Sequence, residues 1–228
     1  MTRPDLTQTY AIRSPDDCAR VYADWAASHD AGFAQGMAYR LPAHVAAAFL
    51  AAGGRGPVLD VGAGTGLCAG ALRDQGFAGE IDAVDLSAEM LGMAAQKGLC
   101  RALHRADITR ALPFCGPYGG LVSSGTFTHG HVGPEAFGPL LAVMGPGALL
   151  AVSVNLGVWE AQGFAGALAA LAPRLALRQS LDVPIYGAAA ARLDPAHAAD
   201  RARIVLAMVR QEGEARSPAS GGLRRLRG

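Results

Sequence analysis

The sequence predicts an α/β fold in which a mostly parallel sheet is covered by helices on both faces. Two observations carry this prediction. Short apolar runs alternate with helix-like periodic segments from residue 58 to residue 171, and a glycine-rich turn at 62–66 joins the first apolar run to the first of these helices. Open sheets of this kind bind ligands at the carboxyl ends of their strands. With 228 residues, the chain suits one domain, or one domain with small additions.

The segment before the first strand, residues 1–52, is predicted to be helical. A first helix is expected at 16–28, because apolar side chains recur there at i, i+3, i+4 and i+7, namely at Cys18, Val21, Tyr22 and Trp25. A second helix is expected at 42–52, before a pair of glycines. These residues are expected to form an N-terminal helical lid.

Residues 53–210 are predicted to form the main domain. Its strands are expected at 58–61, 80–85, 99–105, 120–124, 147–154, 174–182 and 203–210, and its helices at 66–76, 88–97, 134–144 and 159–171. After residue 210 the composition changes to Gly, Ser, Pro and Arg. Such a segment lacks the apolar content needed to offset its ordering entropy, so residues 211–228 are predicted to be a disordered tail.

The turn after the first strand indicates the type of cofactor. Gly62, Gly64 and Gly66 alternate, and Asp60 precedes the first glycine by two residues. The dinucleotide fingerprint would need a glycine where this chain has Leu67. A carboxylate beside the turn would repel a pyrophosphate, whereas it would attract an ammonium group. The order G-x-G-x-G after an acid resembles motif I of class I S-adenosylmethionine (SAM) methyltransferases.

That resemblance implies a Rossmann-like class I methyltransferase sheet of seven strands, with the last strand antiparallel and inserted beside the fifth. It also implies SAM as cofactor and S-adenosylhomocysteine (SAH) as product. Asp85, at the end of the second strand, would accept both ribose hydroxyls, although a nicotinamide enzyme would use the same acid. Further contacts are expected from the turn itself and around the adenine, at Ala63, Leu86, Met90, Asp107 and Ile108.

Each acid also has a purely structural interpretation. Asp60 could simply cap the turn, and Asp85 could be the start signal of the following helix, although Ser87 is the better cap. Asp107 could be an ordinary turn residue before Thr109. We favour the cofactor site, because three acids at the ends of three successive strands would meet at one edge of the sheet.

The loop after the fourth strand narrows the family. The run T-H-G-H-V-G-P at 128–134 resembles the Williams–Beuren syndrome chromosome region methyltransferase-like family. Segments 22–26 (Y-A-D-W-A), 39–42 (Y-R-L-P), 112–114 (L-P-F) and 158–160 (V-W-E) are similar to other parts of that family. The resemblance spans roughly residues 20 to 185. It implies that the added segments around this shared core set the choice of methyl acceptor.

The resemblance also suggests roles near the transferred methyl group. Tyr22 and Tyr39 are expected to cover the methionine end of the cofactor, although both could instead be core residues of the helical segment. Arg40 could pair with the cofactor carboxylate or be an ordinary surface arginine, and Trp25 is expected to pack in the core. Ser124 and Gly125, at the end of the fourth strand, are also assigned to the cofactor site.

His129 and His131 lie on the loop after the fourth strand, and histidine is the side chain most often used as a general base. Either could be a general base, or both could only hold the loop. No metal site is predicted, because no cysteine or acid lies near them in sequence.

Composition restricts the class of protein. The net charge of +1 gives no indication of nucleic-acid binding, and the four cysteines lack C-x-x-C spacing. No signal peptide and no membrane-spanning run is visible. We therefore expect a cytoplasmic enzyme that transfers a methyl group from SAM to a small-molecule acceptor, with no nucleic-acid or membrane partner. The alternatives are a nicotinamide-dependent oxidoreductase and a non-catalytic SAM-binding protein.

Overall fold

The computed structural model describes residues 38–211. The predicted helix at 16–28, with Tyr22 and Trp25, lies outside the described residues, as does the predicted tail after Gln211. Helix α1 (Leu41–Ala51) is the first helix of the described part, and Pro42 lies in its first turn. A proline is tolerated there because the first amides of a helix have no partner within the helix.

Seven strands form one sheet, as predicted. They are β1 (Val58–Val61), β2 (Ile81–Asp85), β3 (Ala102–Arg105), β4 (Tyr118–Phe127), β5 (Met144–Asn155), β6 (Leu175–Pro184) and β7 (Arg201–Val209). Their order is β3-β2-β1-β4-β5-β7-β6. The pairs from β3 to β5 are parallel, whereas β7 is antiparallel to both β5 and β6. The predicted antiparallel last strand beside the fifth is therefore confirmed.

Helices connect the strands and cover the sheet. They are α2 (Leu67–Asp74), α3 (Ala88–Lys97), α4 (Phe137–Ala142), α5 (Leu156–Trp159), α6 (Phe164–Ala170) and α7 (Ala190–Leu193). A 3₁₀ turn (Pro134–Ala136) precedes α4. The prediction of one continuous helix at 159–171 was wrong. Gly163 has a φ of 69° there, a left-handed conformation that interrupts the helix and separates α5 from α6.

Strand β4 is longer than predicted and irregular. Ser123 pairs with Val152, but the next pair along the ladder is Phe127 with Val154. Between these two pairs, β4 has three residues (124–126) and β5 has only one (153). The segment 124–126 therefore bulges out of the ladder. The sequence suggested an end at residue 124 because Ser, Gly and Thr replace the apolar run there. The bulge places these three residues at the carboxyl edge of the sheet.

Two apolar clusters lie on the two faces of the sheet. On one face, the Phe127 ring lies 5.4 Å from that of Phe137 and 5.9 Å from that of Phe164, measured between centroids. On the other face, α1 and α2 contribute Phe49 and Leu72, both fully buried. Burying side chains of this size contributes about 1.5–3 kcal/mol each, which stabilises the packing of helices on both faces of the sheet.

A buried carboxylate occupies the opposite, amino end of the sheet. Asp82 of β2 is 3% exposed, and its two oxygens accept hydrogen bonds from Arg101 at 2.9 and 2.6 Å. The Tyr118 hydroxyl donates a further bond of 2.8 Å. Burial alone would raise the pKa of Asp82, but the bonds from Arg101 and Tyr118 outweigh burial and hold that pKa below its ordinary value. This group links β2, β4 and the start of β3.

Candidate active site

The glycine turn after β1 has the backbone conformation that its sequence predicts. Gly62, Gly64 and Gly66 have φ values of 62°, 55° and 83°, in the left-handed region that favours glycine. Their surroundings differ. A Cβ on Gly62 would overlap the side chain of Thr126, whereas a Cβ on Gly64 would meet no atom within 4 Å. The turn is therefore packed against β4 at Gly62 and open at Gly64.

Asp85 ends β2 and faces this turn. Its Oδ2 accepts a hydrogen bond of 2.8 Å from the Gly64 amide, and its Oδ1 accepts one of 2.9 Å from the Ser87 amide. Burial raises the pKa of Asp85, and the backbone amides only partly offset that effect. Ser87, not Asp85, caps α3, because its hydroxyl accepts from the Met90 amide at 3.1 Å. A carboxylate offers about four acceptor positions, so Asp85 retains capacity for a ligand.

Asp60 lies beneath the same turn and is fully buried. Its Oδ2 accepts a hydrogen bond of 3.0 Å from the Ala69 amide in the first turn of α2. Within the part of the chain that the structure describes, its Oδ1 has no hydrogen-bond partner. Burial raises the pKa of Asp60 to about 7, with a smaller contribution from the charge of Asp85 and an opposing one from the Ala69 amide. One oxygen of Asp60 therefore binds the start of α2, while the other remains available to accept a hydrogen bond.

The third acid is placed differently from the first two. Strand β3 ends at Arg105, so Asp107 follows it in a turn instead of ending it directly. Its Oδ1 accepts from the amide and the hydroxyl of Thr109, at 2.9 and 2.6 Å. Burial would raise the pKa of Asp107, but the bonds from Thr109 and the charge of Arg110 hold it below its ordinary value. Asp107 therefore makes the hydrogen bonds of a turn residue, as its structural interpretation predicts.

The remaining residues assigned to the adenine lie beside this turn and in the first turn of α3. Ile108 is 6% exposed and Met90 is 2% exposed, whereas Leu86 is half-buried. Leu86 precedes α3, and Met90 lies in the first turn of that helix. The site residues of β2, α3 and the β3 turn are thus assembled at one edge of the sheet.

Tyr39 approaches the end of β4, whereas Arg40 lies beside the segment that follows β6. The Tyr39 hydroxyl lies 3.5 Å from the Ser124 hydroxyl, and a Cβ on Gly125 would overlap it. Gly125 also has a φ of 80°. Burial raises the pKa of Tyr39 to about 12, so its phenol stays protonated at neutral pH. Arg40 is exposed, and its amide donates to the Ile185 carbonyl at 2.9 Å.

The segment after β6 supplies a residue that the sequence did not assign. Tyr186 is 7% exposed and forms an antiparallel bridge with Tyr39, with ring centroids 5.9 Å apart. Because β6 and β7 meet at Pro184 and Arg201, this segment lies at the carboxyl edge. The only sequence signal was an aromatic residue at the start of an otherwise alanine-rich stretch.

The two histidines have different surroundings. The His129 ring packs against α5, since a Cβ on Gly157 would lie 2.6 Å from its Cε1 and 2.7 Å from its Nε2. His131 donates through Nδ1 to the His129 carbonyl at 2.8 Å. Burial lowers the pKa of His131, an effect that its bond to the His129 carbonyl only partly offsets, so its imidazole is neutral at pH 7. This hydrogen bond of His131 therefore restrains the backbone of the loop at His129.

Over residues 38–211, no cluster of three or more His, Cys, Asp or Glu side chains has the arrangement to hold a metal ion. None of the helices in that part of the chain combines the length and apolar character needed to cross a bilayer.

Comparison with known proteins agrees with this geometry. A family model described as a methyltransferase domain matches residues 58–147, the stretch from β1 into β5. No curated protein matches the chain significantly. Among solved structures, the 4+2-cyclase SpnF has a TM-score of 0.62 at 18% identity, over 87% of this chain and 98% of its own.

Two further structures are named as methyltransferases. The magnesium protoporphyrin IX methyltransferase of Synechocystis PCC 6803, with bound SAH, has a TM-score of 0.51 at 17% identity, over 75% of this chain and 81% of its own. A putative RNA methyltransferase of Pyrococcus horikoshii has a TM-score of 0.57 at 14% identity, over 76% and 87%. The protein thus has the class I methyltransferase fold, and the matched domain supports a SAM-dependent methyltransferase.

Proposed function

We propose that this protein transfers a methyl group from SAM to a small-molecule acceptor. The observation that carries the proposal is the pairing of Asp85 with Gly64. The Gly64 amide is bonded to a carboxylate at the end of the next strand, while the space around its Cα is open. An acid fixed beside an open glycine turn suits a ribose with two free hydroxyls, because the backbone can approach the ligand closely.

The residues present also fit the remainder of the cofactor. Asp60 keeps a buried carboxylate oxygen, Oδ1, for which an ammonium group is a suitable donor. We assign the ribose to Asp85 and the sulfonium-bearing chain to the turn. The other proposed contacts are Ala63, Leu86, Met90, Asp107 and Ile108 around the turn and adenine, and Tyr22, Tyr39, Arg40, Ser124 and Gly125 toward the methionine end.

When bound, SAM supplies an already activated methyl group on a sulfonium. The chain's own contribution is alignment of the acceptor with that methyl group, an effect worth up to about 7–11 kcal/mol in favourable cases. A general base adds about 10²–10⁴-fold if the acceptor loses a proton. We assign this role to His129, because the Nδ1 of His131 is engaged with the loop backbone.

The near-neutral net charge, which gives no indication of nucleic-acid binding, supports a small-molecule acceptor. One structural neighbour is named a putative RNA methyltransferase, so RNA is the acceptor to test against. Incubation with methyl-labelled SAM and either a small-molecule extract or total RNA distinguishes the two. Label recovered only in small molecules supports the proposal, and label recovered in RNA contradicts it.

The cofactor is tested by thermal unfolding of the full chain. SAH should raise the melting temperature, since a ligand at 100 times its Kd stabilises by about 2.7 kcal/mol, whereas NAD should not. A shift with NAD alone would favour the nicotinamide-dependent oxidoreductase. A non-catalytic SAM-binding protein, or a different reaction on this fold as the name of SpnF indicates for that protein, would bind SAH but transfer no label to any acceptor.

The role of the histidines is tested by His129→Ala and His131→Ala. If His129 is the base, its replacement should lower kcat by about 10²–10⁴-fold and leave SAH affinity unchanged. His131→Ala should lower the melting temperature together with activity, because it removes the hydrogen-bond donor to the His129 carbonyl. Turnover near that of the unaltered protein in both variants would leave alignment as the sole source of catalysis.

A further inference from the structure

Three hydroxyl groups connect the carboxyl ends of β1, β4 and β5. Thr126 Oγ1 donates to the carbonyl of Val61 at 3.0 Å, and Ser123 Oγ lies 2.9 Å from both that carbonyl and Thr126 Oγ1. Ser153 of β5 donates to the Ser123 carbonyl and accepts from the Gly125 amide, both at 3.1 Å. The hydroxyl cluster, defined as Ser123, Thr126 and Ser153, therefore spans the three strands that meet beside the glycine turn.

The cluster occupies a place where the ladder itself has ended. Backbone pairing between β1 and β4 reaches Asp60 and Val122, and the bulge of β4 begins after Ser123. The carbonyl of Val61, the last residue of β1, is instead bound by hydroxyls. A hydroxyl has one proton, so Ser123 donates either to Val61 or to Thr126. When Ser123 donates to Thr126, Thr126 donates to Val61, and when Ser123 donates to Val61, Thr126 can also donate to that carbonyl.

Thr126 also sets the packing of the next residue. The side chain of Thr126 fills the space that a Cβ on Gly62 would need. On its other side, the Gly62 amide donates to the Val84 carbonyl at 2.9 Å. The first glycine of the turn is thus held between β2 and the bulge of β4.

We propose that Thr126 is a positioning residue that locks the β4 bulge onto the glycine turn. This inference rests on the proposed function. The turn carries the cofactor, and the chain continues from Thr126 through Phe127 into the loop of His129 two residues later. The contact of Thr126 with Val61 and Gly62 therefore fixes the cofactor side of the site relative to the acceptor side. Nothing in the sequence motif singled out this threonine.

The test compares Thr126→Val with Thr126→Ser in the full chain. Valine keeps the shape and removes the hydroxyl, whereas serine keeps the hydroxyl and removes one methyl group. With the turn less fixed, SAH must order it on binding, so Thr126→Val should weaken SAH affinity by about 3- to 10-fold, a range that corresponds to loss of one hydrogen bond. Thr126→Ser should stay within twofold of the unaltered protein.

Ser123→Ala and Ser180→Ala form a matched pair of controls. Ser123 belongs to the cluster, while Ser180 is exposed on the edge strand β6. Affinity is measured by calorimetry well below the melting temperature of each variant. A lower melting temperature of Thr126→Val with unchanged SAH affinity would overturn the proposal, because a merely structural role predicts that result. An equal loss of affinity in Ser180→Ala would also overturn it.

A double-mutant cycle tests the packing independently of the cofactor. Gly62→Ala should lower the melting temperature more in the unaltered background than in the Thr126→Ala background, where the overlapping atoms are gone. Additive shifts would contradict the proposed contact. If the unaltered protein binds no SAH, the proposed function fails, whereas normal binding in every Thr126 variant refutes this inference alone.

Discussion

Two buried aspartates lie in neighbouring strands, Asp60 in β1 and Asp82 in β2, and their surroundings are opposite. Asp82 has hydrogen bonds to both oxygens from Arg101 and Tyr118, and its pKa is lowered. Asp60 has one backbone donor, and its pKa is raised to about 7. Asp82 lies toward the amino end of the sheet, and Asp60 lies beside the turn at the carboxyl end.

The difference separates structural from functional polar groups. A buried carboxylate without full hydrogen bonding is unfavourable, so an incompletely bonded one persists where a ligand can complete its bonding. Asp82 is completed by the protein itself, across three strands. Asp60, together with Asp85, leaves acceptor capacity at the edge where parallel sheets bind ligands.

Replacing Asp85 should have the largest effect on the cofactor. Asp85→Ala removes the proposed ribose acceptor and the bond to Gly64, and hydrogen bonds to a charged group contribute about 1.5–3 kcal/mol. SAH affinity should therefore fall by about 10- to 150-fold, with the fold retained, as circular dichroism would check. Asp74→Ala, at the exposed end of α2, is the control. Unchanged affinity in Asp85→Ala would refute the ribose assignment.

Replacing Asp82 should have the reverse profile. Asp82→Asn leaves Arg101 and Tyr118 without their charged acceptor, and we expect a loss of about 1.5–3 kcal/mol in the free energy of unfolding. SAH affinity should not change, because Asp82 lies away from the turn. Urea denaturation and calorimetry measure the two quantities. A variant that keeps its stability but loses SAH affinity would invert the proposed division between the two ends of the sheet.

Asp60 should give the protein an unusual dependence of stability on pH. Its pKa is about 7 in the native state and about 3.9 in an unfolded chain. The native state therefore keeps a proton that the unfolded state releases, so stability from this group is present at low pH. It falls as pH rises from about 4 to about 7, by up to about 1.4 kcal/mol per pH unit.

The matched variant for this prediction is Asp60→Asn. The difference in unfolding free energy between the two proteins, measured at pH 5, 6, 7 and 8, isolates the contribution of Asp60. That difference should change between pH 5 and 7 and become flat above pH 7. Asp82 has a lowered pKa, so its contribution is lost only as pH falls below its ordinary range. A flat difference from pH 5 to 8 would contradict the raised pKa of Asp60.

The smallest effect is expected at the surface part of the Asp82 group. Arg101 also contacts Glu80, and these side chains are 46% and 60% exposed. Exposed ion pairs contribute about 0.2–1 kcal/mol and are screened by salt. Glu80→Gln should therefore lower stability by no more than that, and 1 M salt should abolish the difference. A loss as large as that of Asp82→Asn would show that the exposed contact is the dominant one.

Local motifs could be predicted from sequence, but contacts between distant segments could not. The glycine turn and the acid at the end of β2 are encoded within a few residues, and the structure places Asp85 against Gly64. The antiparallel seventh strand was expected only from the resemblance. Tyr118 and Asp82 are separated by 36 positions. Neither residue type indicates from the sequence that the two side chains form a hydrogen bond. The contact of Tyr39 with Tyr186 was missed for the same reason.

The bulge of β4 illustrates a second limit. The apolar run of β4 is followed in the sequence by Ser123, Ser124, Gly125 and Thr126. This change of residue type predicted that the strand ends at residue 124. Their hydroxyls and backbone instead bind Val61 and Ser153 of adjacent strands, which satisfies polar groups that a simple ladder would have paired. The periodicity of apolar residues indicates which faces are buried. It does not indicate where side-chain hydrogen bonds take the place of backbone pairing between strands.

The position of β7 has a consequence for how the chain is synthesised. Strand β6 pairs with β7, which in turn pairs with β5, although β6 precedes β7 along the chain. As the polypeptide leaves the ribosome, β1 to β5 can join in parallel order, but β6 has no native partner until residues 201–209 emerge. The outer third of the sheet therefore assembles after the first five strands, and a chain interrupted before residue 201 leaves a ten-residue strand unpaired. An unpaired strand of that length is a site for aggregation and proteolysis, so premature termination near the carboxyl end is a hazard for this protein.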